Sequence, residues 1–234
     1  MYSRRNVLLS ILGLSLLPHV SAVVAQGGIV PGDSLVFRDF LKDLEALAVD
    51  AQAGKASEHD VVRRGLDVMQ RLNVDEPSFA AVVTKSFESG NAFWLWQRLH
   101  KAPEINGGIL TISPSRVVQL HDHPRAIGMV RILSGQAEVW QYDRLPSESS
   151  MGQNAVLERV SHKVLRPGDV AVLTPHTGNI HALHAKGGEC RMLDFFVPPY
   201  VRSKRTWYEP IDHDWPNREL ITCRAIKEHD FMGA

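Results

Sequence analysis

The 234 residues are 44% apolar and 22% charged, ample for one hydrophobic core, and all-β barrels of roughly 200–250 residues often form a single domain. Lys plus Arg and Asp plus Glu both number 26, so the formal charge is zero; this excludes the basic footprint of a nucleic-acid binder and an acidic tail. Two cysteines exclude a disulfide framework, leaving Cys190 and Cys223 either as one bridge or as two separate buried thiols.

In chain order, Arg4 and Arg5 lead into an apolar run over residues 7–17. That is short of the roughly 20 residues a membrane span requires, but it suits the apolar part of a signal peptide. Small residues follow in Val20-Ser21-Ala22 and Val23-Val24-Ala25. The stretch Ser3-Arg4-Arg5-Asn6-Val7-Leu8-Leu9 resembles a twin-arginine export signal, with Val7 and Leu9 where Phe and Lys are usual; an ordinary secretory signal is the alternative. Residues 1–25 are therefore expected to be a signal peptide. The mature protein is expected in the periplasm, with no transmembrane span.

Residues 26–234 read as a single domain with three regions. Residues 34–90 are helical: Leu35, Phe37, Phe40, Leu41, Leu44 and Leu47 recur at three-to-four spacing, with Asp33-Ser34 as a candidate cap. A second helix follows over residues 58–72 and a third opens at Pro77. These helices are expected to pack on the rest of the domain or to build a subunit contact, so the expectation of a monomer depends on which they do. From Asn91 to residue 210 the period changes to two. Short β-rich runs at 108–113, 116–122, 128–134, 137–142, 158–165, 170–173, 179–183 and 190–197 alternate with Gly, Pro, Asn and Asp turns, as in an antiparallel sandwich or barrel. Residues 211–234 read as a C-terminal extension.

The chemistry concentrates in two segments. In Gln119-Leu120-His121-Asp122-His123-Pro124, strand alternation puts His121 and His123 on one face and Asp122 on the other. In Pro175-His176-Thr177-Gly178-Asn179-Ile180-His181, a turn through Gly178 feeds a strand that carries His181 early. Together these segments resemble the two motifs of the cupins, over roughly residues 108–200. The resemblance implies a mainly β cupin barrel with an N-terminal helical region, and metal ligation by His121, His123 and His181. Many cupins add a Glu four or five residues after the second His. Those positions are Ile127 and Gly128, which leaves three neutral imidazoles and no carboxylate.

Among three-His cupins the chain is similar to the thiol dioxygenases, in particular the group containing cysteamine dioxygenase and the plant cysteine oxidases. The carriers are His121-Asp122-His123-Pro124, Gln141-Tyr142-Asp143, Gly178-Asn179-Ile180-His181, and Asp194 followed by Pro198-Pro199-Tyr200. The resemblance implies Fe(II) as cofactor, a small thiol or N-terminal cysteine and O2 as substrates, and a sulfinic acid as product. Asp194 is expected to orient a ligand His or a bound amine, and Tyr200 to line the pocket mouth. That group often has a Cys near a Tyr pair where this chain has Arg205-Thr206-Trp207-Tyr208, so no Tyr–Cys crosslink is expected there. Two other readings remain: an exported cupin using Zn, Ni or Mn as a lyase or isomerase, and a non-catalytic metal binder. His184 is expected off the metal, Trp94 and Trp96 in packing, and His100, His162, His213 and His229 at the surface.

Overall fold

The computed structural model describes residues 34–85, 94–146, 154–199 and 204–231. The signal peptide expected over residues 1–25 and the expected role of Tyr200 lie outside the described residues. Three helices come first: α1 Phe37–Gln52, α2 Glu58–Arg71 and α3 Pro77–Lys85. Of these, α2 starts where Ser57 can close a capping box, its Oγ accepting from the Asp60 N–H at 3.1 Å while Asp60 Oδ2 accepts from the Ser57 N–H at 3.2 Å. The N-cap of α1 is Val36, with no side-chain cap, so Ser34 does not fill that place; Asp33 lies outside the described residues. None of the described helices is long and apolar enough to cross a membrane.

Among the described residues eleven strands follow: β1 Trp94–Lys101, β2 Asn106–Ile112, β3 Val117–His121, β4 Ile127–Ser134, β5 Ala137–Arg144, β6 Asn154–Leu165, β7 Val170–Leu173, β8 Ile180–Ala185, β9 Cys190–Val197, β10 Thr206–Pro210 and β11 Leu220–Lys227; a 3-10 turn Trp215–Asn217 precedes β11, and the short helix α4 Glu228–Phe231 follows it. Five form a sheet in the order β1-β2-β9-β4-β7, and six close on themselves in the order β10-β11-β6-β5-β8-β3. All pairings are antiparallel. The fold is thus mainly β, with the helices on the N-terminal side.

The segment expected as an extension from residue 211 is a correction: it supplies β11, which pairs with both β10 and β6 and completes the ring. Its sequence, Leu-Ile-Thr-Cys-Arg-Ala-Ile-Lys, buries only Ile221 and Cys223 on alternate positions, a weak strand signal.

Strands β4 and β9 are buried almost throughout because both faces of their sheet are covered. Met129, Leu193, Phe195 and Val197 face the helices and join Phe40, Leu44, Leu47 and Met69 in one core. The alternate residues Val130, Ile132 and Met192 face the ring and pack with Val139, Leu183 and Trp207 in a second. The helices therefore cover the outer face of the five-stranded sheet. The buried guanidinium of Arg131 fastens α2 there, donating to the carbonyls of Met69 at 2.6 Å and Leu72 at 2.9 Å, groups that a helix end leaves unsatisfied. Cys190 and Cys223 are free, buried thiols in different clusters.

Candidate metal centre

Between the two layers lies a cavity of about 190 Å³, and His121, His123 and His181 all line it. Strand pairing explains the convergence. His121 ends β3 and His181 is the second residue of β8, and the two are direct partners across the ladder, so both project to the same side. His123 follows two residues after His121, in the turn beyond β3. The ring centroids stand 4.8 Å (His121–His123), 4.6 Å (His121–His181) and 5.0 Å (His123–His181) apart. One nitrogen from each ring lies within 4.8 Å of the others, and among the described residues no carboxylate or thiol joins the group.

All three rings are buried. Burial drives His121 and His123 well below the ordinary imidazole pKa, with neighbouring His rings and the Arg205 charge acting the same way. Burial brings His181 down to about 4, with the Asn179 backbone opposing and Arg205 assisting. The rings are thus neutral lone-pair donors. His121 Nδ1 donates to the Gln119 carbonyl at 2.7 Å, which leaves Nε2 for the cluster. Three neutral imidazoles crowded without an acid to balance a proton suit a divalent transition ion.

The titration has a measurable consequence. Protons compete for these imidazoles only near their folded pKa values, so metal affinity is expected to stay flat from about pH 8 to about pH 5 and to fall as the pH approaches about 4. Ligands with the unperturbed value of about 6.5 would lose affinity from there downward. A chelator-competition titration against pH separates the two. In the metal-free protein the sign for stability follows: below about 6.5 the unfolded chain binds protons that the folded chain refuses, so stability falls with pH.

The residues around the trio hold it in place. Asn179 clamps the His123 turn to the start of β8: its Oδ1 accepts from the His123 N–H at 2.8 Å, and its Nδ2 donates to the carbonyls of His123 at 3.2 Å and Thr174 at 3.0 Å. Gly178 has φ +65°, and a Cβ there would meet Gln141 Nε2 at 2.8 Å. Its N–H donates to Asp143 Oδ1 at 2.6 Å. Asp122 points away, as strand alternation predicts, and ties β3 to β10 by accepting from the Thr206 N–H at 2.8 Å and the Tyr208 hydroxyl at 3.3 Å.

Asp194 lines the cavity from β9. Burial pushes its carboxyl up to about 7, opposed by the Trp96 N–H and the Arg205 charge. Trp96 Nε1 donates to Asp194 Oδ1 at 3.2 Å. It reaches across β2 over Gly108, the register partner of Asp194, where a Cβ would stand 2.5 Å from Trp96 Cε2. Trp96, expected in simple packing, therefore belongs to the site. Arg205 also lines the cavity and was not singled out from the sequence. A charged residue just before a short strand carries no periodic signal of burial.

The other histidines lie elsewhere. His184 Nδ1 stands 3.7 Å from Glu138 Oε2, and its ring is 6.4 Å from that of Trp140. His162 meets the same Glu138 at 2.8 Å, and His176 is exposed, 3.7 Å from Glu58. His100, expected free at the surface, lies 2.7 Å from Glu45 Oε1 on α1.

A family model described as PCO_ADO matches residues 67–217. The chain belongs to that family. Among curated relatives, 2-aminoethanethiol dioxygenase of Mus musculus is 25% identical over 126 residues, 45% of this chain and 48% of that protein. Plant cysteine oxidase 2 of Arabidopsis thaliana is 32% identical over 95 residues, 39% of this chain and 34% of that protein. The chain thus matches about half, or less, of the length of these relatives. A solved cupin superfamily protein from Desulfitobacterium hafniense aligns at a TM-score of 0.37 and 17% identity, covering 50% of this chain and 88% of that one. The PCO_ADO match runs from α2 through the last turn before β11 and contains all three cavity histidines, Asp194 and Arg205.

Proposed function

We propose that this protein is an Fe(II)-dependent thiol dioxygenase that oxidises a small thiol or an N-terminal cysteine to the sulfinic acid with O2. The observation that carries the reading is the buried trio of neutral imidazoles, without a carboxylate among them, in a chain of the PCO_ADO family. The names of the relatives, a thiol dioxygenase and a cysteine oxidase, support the substrate class.

His121, His123 and His181 would hold the ion. When bound, Fe(II) supplies a Lewis-acid site that favours the thiolate and brings sulfur and O2 together. Because the three donors are neutral, the protein leaves the ion's charge uncompensated, and the cavity favours an anionic ligand. Leu110, Val118, Val130 and Leu183 give the cavity apolar walls that limit water. Asp194, with its pKa near neutrality, can take up the proton that the thiol releases, while the Trp96 N–H keeps its carboxylate in place. The overall reaction balances as R–SH + O2 giving R–SO2H, with no further reductant.

The test is O2 consumption by protein loaded anaerobically with Fe(II), offered cysteamine, cysteine, 3-mercaptopropionate and a peptide with N-terminal Cys. Uptake of one O2 per thiol, with both oxygen atoms found in the product by mass spectrometry, is expected. Absence of uptake with all four thiols, at full iron occupancy, would overturn the reading.

A further inference from the structure

We propose that Glu228 on α4 is a positioning residue for the metal centre, holding His121 in place through Trp207. The inference rests on the reading of the three histidines as metal ligands, and not on the reaction that the metal supports.

His121 stands on the seam at which the six-stranded ring closes. Between β10 and β3 the described residues form one register pair, Trp207 with His121, whereas β10 pairs with β11 over five residues and β5 with β6 over eight. A ladder that short leaves the side chain at its end dependent on other contacts. Asp122 reinforces the seam on the side away from the cavity, through Thr206 and Tyr208. On the inner side the reinforcement is Trp207. Its ring lies 4.9 Å from that of His121, tilted by 35°, and the residue is 1% exposed.

An indole buried to that degree needs an acceptor for its N–H. Glu228 Oε2 provides it at 2.6 Å, from a residue only 7% exposed. Hydrogen bonds to a carboxylate are among the strong ones, and this one comes from the first residue of α4. Strand β11 sets it there. Ile226 is the register partner of Trp207 and Lys227 that of Thr206, so the chain delivers Glu228 just past the start of β10. The Arg205 guanidinium lies over the indole at 5.3 Å, its Nε 4.0 Å from the same Glu228 oxygen.

Trp207 is thus clamped by the residues around it, and His121 packs against a fixed wall. The Gln119 carbonyl selects which nitrogen of His121 faces the cluster, and Trp207 limits where the ring can stand. A ligand already in place binds at a lower cost in conformational entropy than one that must be ordered. Loss of the Glu228 carboxylate therefore weakens metal binding without touching a ligand. Linkage demands the converse: metal on the trio must hold the Trp207–Glu228 bond shut by the same factor.

The experiment uses the full chain and Zn(II), a redox-inert ion that nitrogen sites hold more tightly than Fe(II). Chelator competition reads the affinity. We expect Glu228→Leu to weaken Zn(II) binding at least about tenfold, the lower end for residues that support metal ligands. Glu228→Gln keeps an acceptor for the indole and should recover most of that loss. Trp207→Phe should reproduce it, and the Phe and Leu changes together should lose no more than either alone. Asp230→Asn, exposed on the same helix, is the control and should change nothing. In protein carrying isotope-labelled tryptophan, exchange of the Trp207 indole proton should slow on Zn(II) binding by about the factor that Glu228→Leu loses. Additive losses in the double variant, wild-type affinity in Trp207→Phe, or indole exchange indifferent to Zn(II) overturns the inference. Should Glu228→Leu fail to fold, the phenylalanine variant and the wild-type exchange rates still decide. A wild type that binds no Zn(II) at one equivalent overturns the metal reading as well; tight binding that none of these variants alters sinks this inference alone.

Discussion

Replacing His181 with alanine is expected to abolish metal binding at one equivalent and to reduce thiol-dependent O2 uptake to background. The trio offers three nitrogens and, among the described residues, no carboxylate or thiol that could take a vacated place. His121 at the end of β3 and His123 in the turn beyond it then have no imidazole opposite them across the β3–β8 ladder. The loss in affinity should far exceed the roughly 10–100-fold that follows removal of a hydrogen-bond partner outside the ligand set. Metal analysis after dialysis, with a circular-dichroism check of the fold, reads the result directly. His184→Ala is the matched control: it lies on the same strand three residues on, facing Glu138, and should keep full occupancy. Equal metal loss in both variants would mean that β8, and not His181, is what the metal needs.

The second large effect is expected at Asn179. Its side chain makes three hydrogen bonds that join the His123 turn, the Thr174 carbonyl and the start of β8. Asn179→Ala removes all three, taking from the His123 N–H its side-chain acceptor in a buried region. A loss of about 2–4 kcal/mol in unfolding free energy is expected, together with roughly 10–100-fold weaker metal binding. Asn179→Asp keeps the acceptor for the His123 N–H and loses both donated bonds, so it should fall between. Denaturant unfolding and chelator competition measure the two effects. An alanine variant with wild-type metal affinity would show that the His123 position is set by the strand ladder alone.

The convergence of the histidines was legible in part: alternation sends Asp122 to the opposite side from His121, and the turn beyond β3 then brings His123 back beside His121. The turn chemistry was legible too, since Gly178 occupies a left-handed conformation beside Gln141. What the sequence obscured depends on contacts between distant segments. Trp96 looks like one member of an aromatic run until β1 is paired with β2 and β2 with β9, which carries it over Gly108 to Asp194. Arg205 looks like a surface charge until β11 closes the ring and α4 brings Glu228 beside it. The role of β11 was hidden for a related reason: an apolar Leu220 is exposed beside Arg224 and Lys227, which blurs the alternation, and its pairing partner β6 lies far away in sequence. The helices became interpretable only with the five-stranded sheet in place, whose outer face they cover.

X-ray absorption at the iron edge of Fe(II)-loaded protein most directly examines the coordination on which the account stands. Three imidazoles per iron are predicted, from their outer-atom scattering, and the signal should drop to two in the His181→Ala variant under iron excess. A carboxylate scattering path, or two imidazoles in the wild type, would contradict it.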